Sequence, residues 1–141
     1  MNLLSYLPLF VVIFSNVIYH NVTKHTPADA NPFLSLGITY FVAMAASLLL
    51  YFTASEHHSL FAELQKLNWS SYLLGLAIIG LEAGYIYTYR AGWEISRASL
   101  IANITLAVIL LVIGIFFYQE ILTLKQLLGV LCCIAGIFLL K

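Results

Sequence analysis

The stretch AIIGLEAGYIY, residues 77–87, holds one carboxylate, Glu82, within an apolar run that has no basic residue beside it. The other charged residues of the chain sit at or near the ends of hydrophobic runs. A carboxyl in such a place can bind a cation, exchange a proton or accept hydrogen bonds from a neighbouring helix. It cannot face lipid at low cost, since a charge at a bilayer centre costs at least ~2.5 kcal/mol. With helical residues about 100° apart, Tyr85, Tyr89 and Gly75 share the face of Glu82. Gly80 and Gly84 form a small-residue stripe on the opposite face, a spacing that suits helix packing. The expectation is that this stripe packs on a neighbour, while Glu82 faces a polar cavity or another subunit.

Further polar stripes recur at helical spacing. Asn16, Tyr19 (or His20) and Thr23 form one, and Ser35, Thr39 and Ser47 another. Ser96, Ser99, Asn103, Ala107 and Gly114 form a third. Each stripe has two readings: hydrogen bonds that merely hold a bundle together, or a lining for solute. The candidate substrate- or proton-binding set is Glu82, Tyr85, Tyr89, Asn16, Tyr19, Ser99 and Asn103. Gly80, Gly84, Gly129 and Gly136 are the candidate helix-packing positions.

Enzyme chemistry finds no support. No Ser-His-Asp set, phosphate-binding loop or dinucleotide fingerprint occurs, so neither catalytic residues nor a cofactor are expected. Cys132 and Cys133 are adjacent in an apolar run and point apart on a helix, which suits small packing residues. The four histidines lack metal-ligand spacing: His57 and His58 fall in a loop, and His20 and His25 flank the end of the first run. No metal site is expected.

The elements that must position these residues follow from composition. Of 141 residues, 62% are hydrophobic and 9% charged, against about half and about a quarter in soluble domains. That is too little polar surface to cover a water-soluble globule, so much of the solvent must be lipid. A net charge of zero gives no basic face for nucleic acid. Five runs, about 3–22, 33–54, 69–89, 98–118 and 121–140, each approach the ~20 helical residues that a bilayer core requires. Backbone groups in lipid must be satisfied within the segment, which selects helices. The expected fold is therefore an all-α, multi-pass membrane domain over residues 1–141. The first run has no basic leader and no small-x-small cleavage site, and is expected to be retained as a span.

Connectors fit this division. KHTPADANP, residues 24–32, breaks the chain with two prolines, and Pro32 suits the first turn of the second helix. Thr123 and Gln126 form a capping box opening the fifth. In SLFAELQKLN, residues 59–68, Leu60, Phe61, Leu64 and Leu67 share a face, as in a short interfacial helix or an amphipathic loop.

The segment RASLIANITLAVILLVIGIFFYQEILTLKQLLGVLCCIAGIFLL, residues 97–140, resembles the end of a repeat of the drug/metabolite transporter superfamily. There an acidic turn, E-x-L-T, is followed by a Q-x-x-G-x-x-L-I-x-x-G-V helix. Here the turn Gln119-Glu120-Ile121-Leu122-Thr123 is one residue longer, while Gln126, Gly129 and Gly136 keep the spacing. Five runs match one EamA-type repeat, so the resemblance covers the whole chain. More distantly, NVIYHNVTK, residues 16–24, is similar to the first helix of small multidrug resistance proteins. Asn16 stands where those relatives carry a glutamate that binds cation or proton, and asparagine cannot titrate. Their coupling mechanism therefore does not transfer.

The resemblance implies half of an inverted-repeat transporter of small organic solutes such as a metabolite, expected in the cell (inner) membrane. A cationic or zwitterionic compound follows if Glu82 ionises in the site, and an anionic group if Arg97 reaches inward instead. Two inverted repeats commonly enclose a midplane site, and an odd number of spans requires one copy to be inverted. An antiparallel dimer is expected, with a second copy or with a homologous chain. Lys66 and Lys125 fall on the N-terminal side, against Lys24, Arg90, Arg97 and Lys141 on the other. Two against four mildly favours a cytoplasmic C-terminus and leaves dual topology open. Glu82 would then supply an exchangeable proton for export or exchange. The competing reading is a non-transporting accessory or assembly subunit.

Overall fold

The computed structural model describes residues 6–54, 59–121 and 123–138. Its elements are α1 (Leu7–Lys24), α2 (Pro32–Ala54), α3 (Leu60–Leu64), α4 (Trp69–Arg90), α5 (Ile95–Tyr118) and α6 (Leu124–Phe138). Each predicted apolar run contains a helix, and the SLFAELQKLN segment contributes the short α3. Residues 3–5 and 139–140 at the outer ends of the runs lie outside the described residues, as do His57 and His58. Among the described residues, α2, α4 and α5 are long and apolar enough to cross a membrane, and Leu124–Gly136 is a shorter apolar helix.

The helix boundaries have local causes. Asn31 precedes α2, and its Oδ1 accepts from the Phe33 and Leu34 N–H groups at 2.9 and 3.2 Å. Pro32 takes the first helical position, where no donor is needed. Asn68 caps α4 by accepting from the Ser70 N–H at 3.0 Å. At the start of α6 the expected capping box forms. The Thr123 N–H donates to Gln126 Oε1 at 2.9 Å, and the Gln126 N–H donates to Thr123 Oγ1 at 3.4 Å. Helix α5 ends on Gln119 at φ 53°, a left-handed conformation that costs a non-glycine residue about 1–2 kcal/mol. In return the Gly114 carbonyl accepts from the N–H groups of both Gln119 and Glu120.

Hydroxyls inside the apolar helices are satisfied by their own backbone. Thr39 donates to Ser35 O, Ser47 to Ala43 O, Thr53 to Leu49 O and Thr88 to Gly84 O, at 2.8–3.1 Å. Such back-bonding lets a hydroxyl face lipid without an unpaired polar group. It fits the bland reading of the Ser35, Thr39 and Ser47 stripe.

The chain divides into two compact units, Asn21–Ala91 on one hand and Met1–His20 with Gly92–Lys141 on the other. In the first, α2 packs on α4 around Leu36, Ala83 and Ile86, with Tyr40 against them. Arg90 closes this unit: its Nη2 donates to the carbonyls of Pro27 and Ala30 at 2.7 and 2.8 Å, tying the end of α4 to the α1–α2 connector. In the second unit α5 packs on α6, and Ala98 and Gly114 are buried. Most other large apolar side chains are exposed, Phe116 and Phe117 by 77% and 81%. A soluble monomer rarely exposes continuous apolar surface of this kind. Lipid removes the penalty, because helices in a bilayer associate by van der Waals fit and hydrogen bonds rather than by burial from water.

Candidate functional site

Glu82 lies in the middle part of α4, fourteen residues after the N-cap Asn68 and nine before the C-cap Ala91, and is half-buried on the flank that borders α2. The contact face of α4 runs through Ala83 and Ile86, one to four positions on from Glu82. The carboxylate therefore stands at the edge of a packed seam. The Tyr40 ring sits on that seam, and its hydroxyl is within electrostatic reach of the carboxylate. The hydroxyl is buried and closes no hydrogen bond of good geometry. Among the described residues no cation lies within ion-pair distance of Glu82.

Tyr85 and Tyr89, one and two turns further along, stack with ring centroids 5.9 Å apart and planes 26° from parallel. Tyr89 is buried and Tyr85 half-buried. Gly75 lines an open, mostly apolar groove of about 450 Å³ with Tyr40, Tyr72, Leu76 and Ile79. Tyr40 thus borders both the groove and the carboxylate. Gly80 and Gly84 are exposed, and a Cβ added at either meets nothing within 4 Å. Within this chain α2 covers the Glu82 flank and leaves the glycine stripe open.

The remaining sequence candidates belong to the other unit. Asn16 is exposed on α1, and Tyr19 is half-buried with its ring edge-on to His20 at 5.1 Å. His20 is buried. Ser99 is half-buried, with its hydroxyl 3.4 Å from the Ser96 carbonyl, and Asn103 is exposed. Gly129 lines an open groove of about 570 Å³ between α5 and α6, together with Gly114, Glu120 and Gln126. A Cβ at Gly136 meets nothing within 4 Å. Of the predicted set, then, the structure joins Tyr85 to Tyr89. It adds Tyr40 beside Glu82, a residue that spacing along α4 could not reveal because it lies on another helix. The one available signal was Tyr40 standing four residues from Leu36 on the same face of α2.

Among the described residues no group of three His, Cys, Asp or Glu side chains is placed to hold a metal ion, and Cys132 and Cys133 are exposed free thiols. A carboxyl beside a phenol that itself lines an apolar groove can accept a hydrogen bond from an ammonium group or take up and release a proton. It has no nucleophile–base pair for covalent chemistry.

Apolar helices of spanning length, an interior carboxylate and broad apolar exposure define an integral membrane protein. The chain belongs to the EamA-like transporter family, whose profile matches residues 3–141. Neither a curated protein nor a solved structure matches it. The family makes this a membrane transporter of small solutes.

Proposed function

We propose that the protein carries a small organic solute, a metabolite or a cationic or zwitterionic compound, by proton-coupled export or exchange. The observation that carries this reading is the placement of Glu82: a half-buried carboxyl in the middle of a spanning helix, beside a phenol and away from any described cation. A stabilising ion pair would give such a carboxyl a structural role, and none is present among the described residues. Intramembrane acids of this kind mark ion and solute pathways. Tyr85 and Tyr89 supply amphipathic wall, and Asn16, Tyr19, Ser99 and Asn103 supply hydrogen-bonding groups.

The five helices α1, α2, α4, α5 and α6 form a single multi-pass repeat in the cell (inner) membrane, working as half of an inverted pair. The other half is a second copy or a homologous chain in antiparallel orientation. The Gly80–Gly84 stripe of α4 supports this, since close helix approach needs small residues and, among the described residues of its own unit, nothing lies within 4 Å of a Cβ built at either position.

Proteoliposomes loaded with a pH-sensitive dye test the coupling. A panel of amino acids and organic amines is added outside, and solute-driven proton movement is compared between wild type and Glu82→Gln. Loss of proton movement with Glu82→Gln is expected; an unchanged solute and pH dependence sinks the coupling role.

A further inference from the structure

Tyr40 is the one phenol whose hydroxyl is buried beside the interior carboxylate, and nothing in the sequence pattern assigns it a role. Its ring packs on Leu36, Ala83 and Ile86 at the α2–α4 seam, and its hydroxyl oxygen is buried. A buried hydroxyl without a partner is costly, because its desolvation is not repaid. That cost is removed when the O–H donates to the neighbouring Glu82 carboxyl. The same phenol also borders the apolar groove beside Gly75, so anything approaching Glu82 along that groove meets Tyr40 first.

We infer that Tyr40 is the positioning residue of the site: its hydroxyl donates to Glu82 when no solute is engaged, and a solute must displace that bond to reach the carboxyl. This rests on the reading of Glu82 as the solute- and proton-exchanging group. Chemically, the phenol acts as a stand-in for the solute's own donor. It holds the carboxyl at the edge of the seam and spares it from lying unpaired in an apolar setting between cycles. A tyrosine can do this and a phenylalanine of the same shape cannot, which separates positioning from packing.

The test is infrared difference spectroscopy on purified protein in nanodiscs at acidic pH, where the carboxyl carries its proton. The C=O stretching band of Glu82 is identified as the one lost in Glu82→Gln. Tyr40→Phe, which keeps the ring and its packing, is expected to move that band to higher wavenumber, as an acid losing a hydrogen bond does. Tyr51→Phe, a hydroxyl removed further along α2, is expected to leave it in place. A Glu82 band at the wild-type position in Tyr40→Phe overturns the inference. The Glu82 proposal itself stands or falls separately, on the liposome assay with Glu82→Gln: a shifted band with unaltered transport keeps the hydrogen bond and discards the coupling role. Should Tyr40→Phe fail to yield folded protein, Tyr40→His keeps a ring donor near the carboxyl. A band at the wild-type position or lower then supports the positioning role, and one raised well above it opposes that role.

Discussion

The two helix pairs each hold a glutamate next to a helix–helix contact, and they use it in opposite ways. In the α5–α6 pair Glu120 follows the last turn of α5, exposed, with its carboxylate folded over Gly114. A Cβ built on Gly114 would fall 2.6 Å from Glu120 Oε2. In the α2–α4 pair Glu82 sits at mid-helix, half-buried, with a phenol for company. The first is a carboxylate where the chain turns and water is at hand, so its charge is cheap. The second is a carboxyl where water is scarce, so its presence requires a use. The glycines divide in the same way: Gly114 makes room for a side chain of its own unit, while Gly80 and Gly84 make room for nothing among the described residues of theirs. Under the proposed function, position along the helix, rather than residue type, is what separates the two acids.

Exchanging the acids would break this contrast most sharply. Glu82→Gln is expected to lower solute-driven proton movement in liposomes at least tenfold, while Glu120→Gln lowers it less than twofold. An equal effect of the two erases the distinction between the pairs. A smaller effect, on stability, is expected from Arg90→Met, which removes the guanidinium donor from the Ala30 carbonyl and leaves the Pro27 carbonyl with the Ala30 N–H alone. About 1–3 kcal/mol should be lost, read as a lowered thermal midpoint in detergent. Thr123→Ala removes half of the capping box on α6 and should cost about 1 kcal/mol in the same assay. Gly114→Ala should change the midpoint least, by under about 1 kcal/mol: the new methyl meets only the movable end of Glu120, and alanine favours the helix. A large loss there would mean that the Glu120 carboxylate is held rigidly, making it more like Glu82 than the comparison allows.

Orientation sharpens the comparison further. With Cys132 and Cys133 replaced, a single cysteine at the exposed Ala28 position can be labelled by an impermeant reagent from each side of the membrane. Labelling of separate populations from both sides supports an antiparallel homodimer. Labelling from one side removes that arrangement and leaves an inverted homologous partner or the accessory-subunit reading.

Helices could be read from the apolar runs because lipid demands long uninterrupted segments, and every run holds one. The Thr123–Gln126 cap was legible because both partners lie within one turn. Pro32 was legible for the same local reason. The caps at Asn31 and Asn68 are equally local, yet asparagine before an apolar run is a weaker signal than a paired box. What the sequence could not supply is any relation between helices. Periodicity placed Glu82 opposite Gly80 and Gly84, as the helix geometry requires, but did not tell which side α2 would cover. Tyr40 reaches Glu82 across forty-two residues, and Arg90 reaches Ala30 and Pro27 across sixty and sixty-three. Neither pairing leaves a mark in the spacing of one helix.

The Arg90 tie has a consequence in time. While the chain is being inserted, no connector is yet folded against it, and the free guanidinium is one of the charges that decide which end of α4 stays on the cytoplasmic side. Once α2 has docked, the same group is spent on two main-chain oxygens and is no longer available to the membrane surface. On the positive-inside reading, folding thus takes out of play one of the charges that bear on orientation, and a chain that has closed this tie has one means fewer of reversing it.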